Sequence, residues 1–342
     1  MINIKKTSIA IFFFLQSCME PDTGKLWDIS IENIFETKGF ARSVIVEDSR
    51  AYVAAGQSGS QIWDLQNNTL LKDFTGYEEG GTFLKFEDLA LIGRDPVNSL
   101  LFLSESNQDV KIFHLDEADS LIYRNTIMSA RTKDFISFPS SLDQFVMYSA
   151  DNDDGLKWHF YNLDSTSSFG IDFIEWTPYG GSEIYTPGKP LGIDSDGESL
   201  IAMAVDQLGV ELLSIDSLGA DPVLVGRVDT QGNAEKVTLS SSGVFVACDN
   251  AGAAYIPIEN FGTENPANSF GTDFTVDHVT VHNNIAALSI GSRGLALYDI
   301  SDPEYPIEKG VFPIGYTYMS AFWEGKLLVC SREGLQLITI TQ

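Results

Sequence analysis

Gly291-Ser-Arg-Gly294-Leu-Ala-Leu-Tyr-Asp299-Ile300 aligns residue for residue with Gly56-Gln-Ser-Gly59-Ser-Gln-Ile-Trp-Asp64-Leu65. In both, two glycines three apart precede an apolar run that closes on Asp and an aliphatic residue. The run recurs at Gly209-Val-Glu-Leu-Leu-Ser-Ile215, Gly252-Ala-Ala-Tyr-Ile-Pro-Ile258 and Gly334-Leu-Gln-Leu-Ile-Thr-Ile340. Degenerate copies stand at Asp109-Val-Lys-Ile-Phe-His-Leu115 and Lys157-Trp-His-Phe-Tyr-Asn-Leu163. The seven starts, at 59, 109, 157, 209, 252, 294 and 334, are separated by 50, 48, 52, 43, 42 and 40 residues. Self-similarity at such a period marks a repeat architecture.

Working outward, each unit has one internal order. An apolar strand (Val44-Ile-Val46, Val237-Thr-Leu239, Val279-Thr-Val281) precedes a polar turn and a second apolar strand (Ala51-Tyr-Val-Ala54, Val244-Phe-Val-Ala247, Ile285-Ala-Ala-Leu288). The glycine turn then leads to the third strand, and a looser fourth segment carries Asp or Pro, as in Ser301-Asp-Pro-Glu-Tyr-Pro306. Short β-branched and aromatic runs between turn residues indicate antiparallel sheet. Four strands per unit is one propeller blade. The expectation is an all-β, seven-bladed β-propeller over residues 27–342. The drift in the second and third units leaves six or eight blades open. The last copy stops after its third strand, and Ser30-Ile-Glu-Asn-Ile-Phe-Glu-Thr-Lys38 resembles the missing fourth. The N-terminal segment is therefore expected to complete the last blade and close the ring, protecting sheet edges.

Gly294-Leu-Ala-Leu-Tyr-Asp299-Ile-Ser-Asp-Pro303-Glu-Tyr-Pro306, with its preceding strands, resembles the LVIVD repeat of bacterial and archaeal cell-surface β-propellers. The likeness is strong over 275–340, moderate over 40–65 and 205–260, and poor over 85–190. It implies a fold and a surface location. The motif contains no catalytic residue, so none is implied.

At the N-terminus, Lys5 and Lys6 precede the apolar run Thr7 to Leu15, which ends in Leu15-Gln-Ser-Cys18. Nine residues fall short of the ~20 that a helix needs to span the bilayer core, so the segment reads as a secretion signal, residues 1–17. The Leu-x-Ser-Cys ending resembles the bacterial lipoprotein signal. Acylation of Cys18 would anchor the mature chain through a short linker, residues 18–26. Met19 rather than Asp after the cysteine favours the outer membrane by the same resemblance. Glu20 and Asp22 point to surface display over a periplasmic location, a weaker inference. Cys248 and Cys330 sit in apolar strand-like runs two blades apart and read as buried thiols.

The 342 residues carry 48 acidic against 21 basic side chains, a net charge of −27, with 44% hydrophobic residues. That apolar content excludes a disordered chain. The charge argues against nucleic acid, whose phosphates would be repelled.

Motifs for chemistry are scarce. His278 and His282 have the i, i+4 spacing of two ligands on a helix, but on a strand that separates them by about 13 Å, too far to share a metal. His114 takes the place of Asp64 in its blade, and Gly56-Gln-Ser58-Gly59 is a hairpin turn rather than a nucleophile elbow. Asp151-Asn-Asp153-Asp154-Gly155 and Asp194-Ser-Asp196-Gly197-Glu198 lack the carboxylate spacing of a calcium loop and read as turns. No metal or cofactor is expected, and no catalytic residue can be named.

Two groups are candidate binding residues. The starts of the innermost strands, at the channel mouth, carry Arg42, Lys133, Asp134, Glu235, Lys236, Asp277, His278 and Tyr318, a mixed-sign ring in an acidic chain. Trp176, Tyr179 and Tyr185 lie on an apparent insertion loop, Ile174 to Tyr185, and are placed to stack on sugar rings or a partner protein. The expectation is a monomeric, lipid-anchored module that binds a protein or glycan at the bacterial cell envelope. The alternatives are an envelope hydrolase or lyase acting at the channel mouth and a purely structural envelope component.

Overall fold

The glycine turns decide how the strands are arranged. The computed structural model describes residues 24–342, apart from 107, 128–130, 153–154, 169–170 and 218–219. Cys18 with the signal segment, and Asp153 with Asp154, lie outside the described residues. Seven four-stranded antiparallel sheets, each a meander from an inner to an outer strand, form the blades. The inner strands are Ser43–Glu47, Leu89–Asp95, Thr132–Ser141, Gly192–Ser195, Lys236–Ser240, His278–His282 and Thr317–Trp323. Each packs against the inner strands on either side, and Ser43–Glu47 meets Thr317–Trp323 to complete the ring. The chain is thus a seven-bladed β-propeller. Its one helical element among the described residues is a single 3₁₀ turn, Ile258–Asn260.

All seven repeat copies are third strands, from Ser60–Asp64 to Gly334–Thr341. The unequal spacings come from additions to the ring. A hairpin, Gly76–Glu79 with Thr82–Lys85, separates blades 1 and 2. Blade 3 has 14-residue third and fourth strands, Gly155–Ser168 and Ile171–Ile184.

The Gly-x-x-Gly turns also latch blade to blade. The first residue of the turn has positive φ, 56° at Gly56, 43° at Asp206, 48° at Asp249 and 56° at Gly291. This rotation aims its carbonyl at the next blade, where it accepts from Leu89 N (3.1 Å), Ala234 N (2.9 Å), Val276 N (2.9 Å) and Thr317 N (3.1 Å) respectively. Asp substitutes for Gly because its short polar side chain tolerates the left-handed region. The second position is stricter. At Gly294, φ is 92° and a β-carbon would run into the carbonyl oxygen of Phe312 on the outer strand.

Burial follows the blades. Each of seven core clusters draws on two adjacent sheets, so the hydrophobic effect holds blade against blade. Cys248 and Cys330 are free, buried thiols within two of these clusters. Burial pushes the Cys248 thiol up to about 12, which makes it a poor nucleophile.

The N-terminal strand, Asp28–Phe35, pairs antiparallel with Gly334–Thr341 and completes blade 7. Trp27 enters the core between blades 6 and 7, and Phe35 enters that between blades 7 and 1, edge-on to Trp63 at 5.3 Å. Trp323 Nε1 donates to Asp48 O at 2.9 Å across the same seam.

Two predictions follow from this closure and these turns. Deleting residues 27–38 removes both aromatic anchors and should lower the melting temperature by about 10 °C or more, measured by calorimetry; an unchanged melt would show that the ring closes without this strand. Gly294→Asn should destabilise by about 2 kcal/mol or more in urea unfolding, because Asn accepts positive φ but not the steric overlap. Gly80→Asn, also at positive φ but with open space around it, is the matched control and should stay within about 0.5 kcal/mol of wild type.

Candidate functional site

The inner strands enclose a bore of about 420 Å³ to which all seven blades contribute, within the size range of small-molecule sites. Its wall is apolar in the middle (Val44, Ile92, Ile136, Ile193, Val237) and polar at the end where inner strands begin. Six of the eight mouth residues expected from sequence line it: Arg42, Asp134, Lys236, Asp277, His278 and Tyr318. The other two are displaced. Lys133 borders a smaller recess with Glu105 and Thr132, and Glu235 lies outside the bore lining, its carboxyl pushed up by burial and by the charges of Asp249 and Asp206.

Lys236 and Asp134 prove to be a tether. Lys236 Nζ donates to Asp134 Oδ2 at 2.7 Å, Leu191 O at 3.1 Å and Lys133 O at 3.3 Å, drawing blades 3, 4 and 5 together. An ammonium has three donors, and all are engaged. Beside this pair lies Asp194, which the sequence reading assigned to a turn and not to the bore. It accepts from Leu239 N at 2.8 Å, and burial raises its carboxyl to about 6, with Asp134 adding repulsion. Asp196, two residues on, caps its own turn by accepting from the backbone N–H of Glu198, Ser199 and Leu200. His278 Nδ1 is 3.2 Å from Thr280 Oγ1, and burial, reinforced by Lys236, pushes its imidazole down to about 3. His278 is therefore a neutral polar group of the wall at physiological pH.

The mouth divides by charge. On blades 4 to 6, Asp249, Asp206 and Asp277 stand close enough to add to the rise that burial gives the Glu235 carboxyl, and Asp249 does the same for Asp277. On blades 7 and 1, cations and rings interleave. The Arg42 guanidinium lies 4.8 Å from the Tyr318 ring and 6.0 Å from that of Phe40. The Arg332 guanidinium lies 4.2 Å from Tyr316 and 5.5 Å from Phe40. Tyr316 and Tyr318 are 4.9 Å apart, and Arg332 Nε donates to Tyr318 OH at 3.3 Å. Phe40, Tyr316 and Arg332 escaped the sequence reading. Arg332 lies in the blade 7 turn, Ser331-Arg332-Glu333-Gly334, one position earlier than the cation of the blade 6 turn, Gly291-Ser-Arg293-Gly294, where Arg293 lies over the ring of Phe274 at 4.4 Å, so aligning the repeats does not single it out.

The aromatic group on blade 3 requires a correction. Ile174 to Tyr185 is no loop: it belongs to the outer strand Ile171–Ile184, paired along Gly155–Ser168. Trp176 is 2% exposed and packs on Phe145 at 5.1 Å in the core between blades 2 and 3, so it cannot reach a ligand. Tyr179 occupies the register shift between the pairs Phe160↔Gly180 and Tyr161↔Pro178 and faces outward, 52% exposed. Tyr185, just beyond the strand, is 73% exposed. Neither Tyr179 nor Tyr185 lines the bore.

No family model matches this chain, and no curated protein matches it. Among solved structures, it is similar to that of U3-55K, with TM-score 0.66 and 12% identity over 92% of this chain and 98% of the other. It is also similar to the WD40 repeats of RRP9, with TM-score 0.65 and 12% identity over 92% and 97%. The computationally designed Ika8 protein matches at TM-score 0.59 and 11% identity over 90% and 98%. At such identities the likeness is one of fold.

The charge division has a consequence for stability. Burial, with Asp249 nearby, raises the Asp277 carboxyl to about 6. A carboxyl whose folded pKa exceeds its unfolded value stabilises the fold at low pH and loses that contribution as pH climbs through about 6. Asp277→Asn should therefore melt above wild type at pH 8 and level with it at pH 4. An equal difference at both pH values would show that ionisation of Asp277 is not the cause.

Proposed function

We propose that this chain is a binding module that captures a protein or glycan at the mouth of its bore and is held at the bacterial cell envelope by a lipid on Cys18. The observation that carries the capture reading is the convergence of seven blades on one bore whose mouth juxtaposes arginine-stacked rings with a neutral histidine. Aromatic and arginine side chains gathered at the rim of a concave site are the groups from which recognition surfaces draw most of their affinity. The envelope reading rests on the signal-like segment ending at Cys18 and on the resemblance of the repeats to LVIVD propellers.

Asp194 and Asp277 keep the hydrolase or lyase reading in play, because both carboxyls line the bore and are raised toward neutrality, as a general acid requires. Asp194 is nonetheless held by a backbone N–H.

A pull-down from the native envelope, with Cys18→Ala and Arg42→Ala/Tyr318→Ala versions alongside, tests the proposal by mass spectrometry. The expected result is acylated Cys18, one dominant co-purifying species, and loss of that species in the mouth variant with folding unchanged. An unmodified Cys18 would remove the anchor. Capture unaffected by the mouth variant would remove the site.

A further inference from the structure

The cation and ring cluster on blades 7 and 1 says more about its occupant than the capture reading on which it rests. Sugar rings bind by stacking on open aromatic faces, whereas here Tyr316 and Tyr318 each already have a guanidinium over the ring. A guanidinium lying flat on a ring is fixed in orientation while its N–H edge stays available, and that edge matches a carboxylate in bidentate fashion. Arg42 is partly committed: its Nε is buried without an acceptor, and its Nη2 faces the Asp88 carboxylate at 3.5 Å, the other oxygen of which accepts from Ser106 Oγ at 3.0 Å. Arg332 is exposed, and its Nε donates to Tyr318 OH.

Beside the guanidiniums lies an apolar step. Phe40 is 46% exposed and borders a recess of about 310 Å³ lined also by Arg42, Lys38 and Asp88 and by the small residues Gly39, Gly56 and Ser58. The recess has the dimensions to take one apolar side chain. The acidic remainder of the chain does not prevent a negative group from entering. Exposed charges beyond about 8 Å are largely screened at physiological ionic strength, so the local balance is that of the two arginines against the carboxylates beside them, Asp88 at 3.5 Å from Arg42 and Glu333 next to Arg332.

We propose that Phe40, Arg42, Tyr316, Tyr318 and Arg332 form the docking point for a partner protein, receiving an exposed Asp or Glu side chain flanked by an apolar residue. The carboxylate is gripped between the two guanidiniums, and the apolar neighbour seats against Phe40. The surface is pre-organised, because stacking on the tyrosines fixes both arginines before the partner arrives, which limits the entropy lost on binding.

The test is to pan a random heptapeptide library against the full-length chain and measure the Kd of one synthetic peptide from the enriched set. Enrichment of Asp or Glu next to Phe, Tyr or Leu is expected, with binding weakened about tenfold or more by Arg42→Gln/Arg332→Gln. Arg332→Lys, which keeps the charge but loses the planar fork, should weaken it severalfold with an unchanged melt, and this reading stands even if the double variant misfolds. Enrichment without acidic residues overturns the proposal. Peptides insensitive to these substitutions but lost with His278→Ala overturn it while leaving the bore as a binding site. Retention of oligogalacturonate in place of peptides, lost in the double variant, overturns the protein partner in favour of a glycan. Retention of neither overturns both this proposal and the capture reading.

Discussion

A single four-stranded blade has two apolar faces and no means of covering either alone. Everything else in this structure depends on the resulting constraint, that each face must be covered by the neighbouring blade, around a closed ring. The core is accordingly divided into seven parts, one per seam, rather than gathered at the centre. The ring can only be as stable as its last seam. Here that seam joins the two ends of the chain: Phe35 and Trp63 interlock between blades 7 and 1 while Asp28–Phe35 zips onto Gly334–Thr341. Contacts between residues some 300 positions apart constrain the loop entropy of the whole domain.

The same constraint builds the site. Because the four turn latches point a second-to-third-strand carbonyl at the next blade, they hold the mouth segments there against the neighbouring blade. Arg42 shows the effect: its own backbone N–H is held by Ala54 O at 2.8 Å and that of Ala41 by Ser331 O at 3.1 Å. Arg332, in the blade 7 turn, has its backbone N–H fixed by Tyr316 O at 3.1 Å. The rings and guanidiniums of the platform therefore hang from backbone that the propeller itself immobilises.

Much of this was legible in the residues. Five of the seven third strands announce themselves by a glycine before an apolar run, and the closing strand was visible because one unit lacked its fourth. What failed was the part governed by long-range packing. Ile174 to Tyr185 reads as an insertion loop, yet the long partner strand absorbs Pro178 and Gly180-Gly181 in a register shift and turns Trp176 inward. Lys236 and Asp134 read as uncommitted charges because nothing in a sequence says that positions 102 apart are 2.7 Å apart in space. Asp194 read as turn punctuation, since its burial exists only once seven strands have converged.

The distribution of charge around the mouth follows from this division of labour. Where the latch residue is Asp, at Asp206 and Asp249, the fold's need for positive φ places a carboxylate at the mouth, and blades 4 to 6 become acidic. Where it is Gly, at Gly56 and Gly291, the latch adds no side chain of its own, and the position is flanked by Arg42 and Asp88 in the first case and by Tyr316 and Asp277 in the second. A choice made for backbone conformation, Asp or Gly in the left-handed region, thus adds carboxylates to one part of the rim and leaves another part to arginines and rings. At these four blades the composition of the rim depends on which of two permissive residues grips the neighbour, with no dedicated insertion.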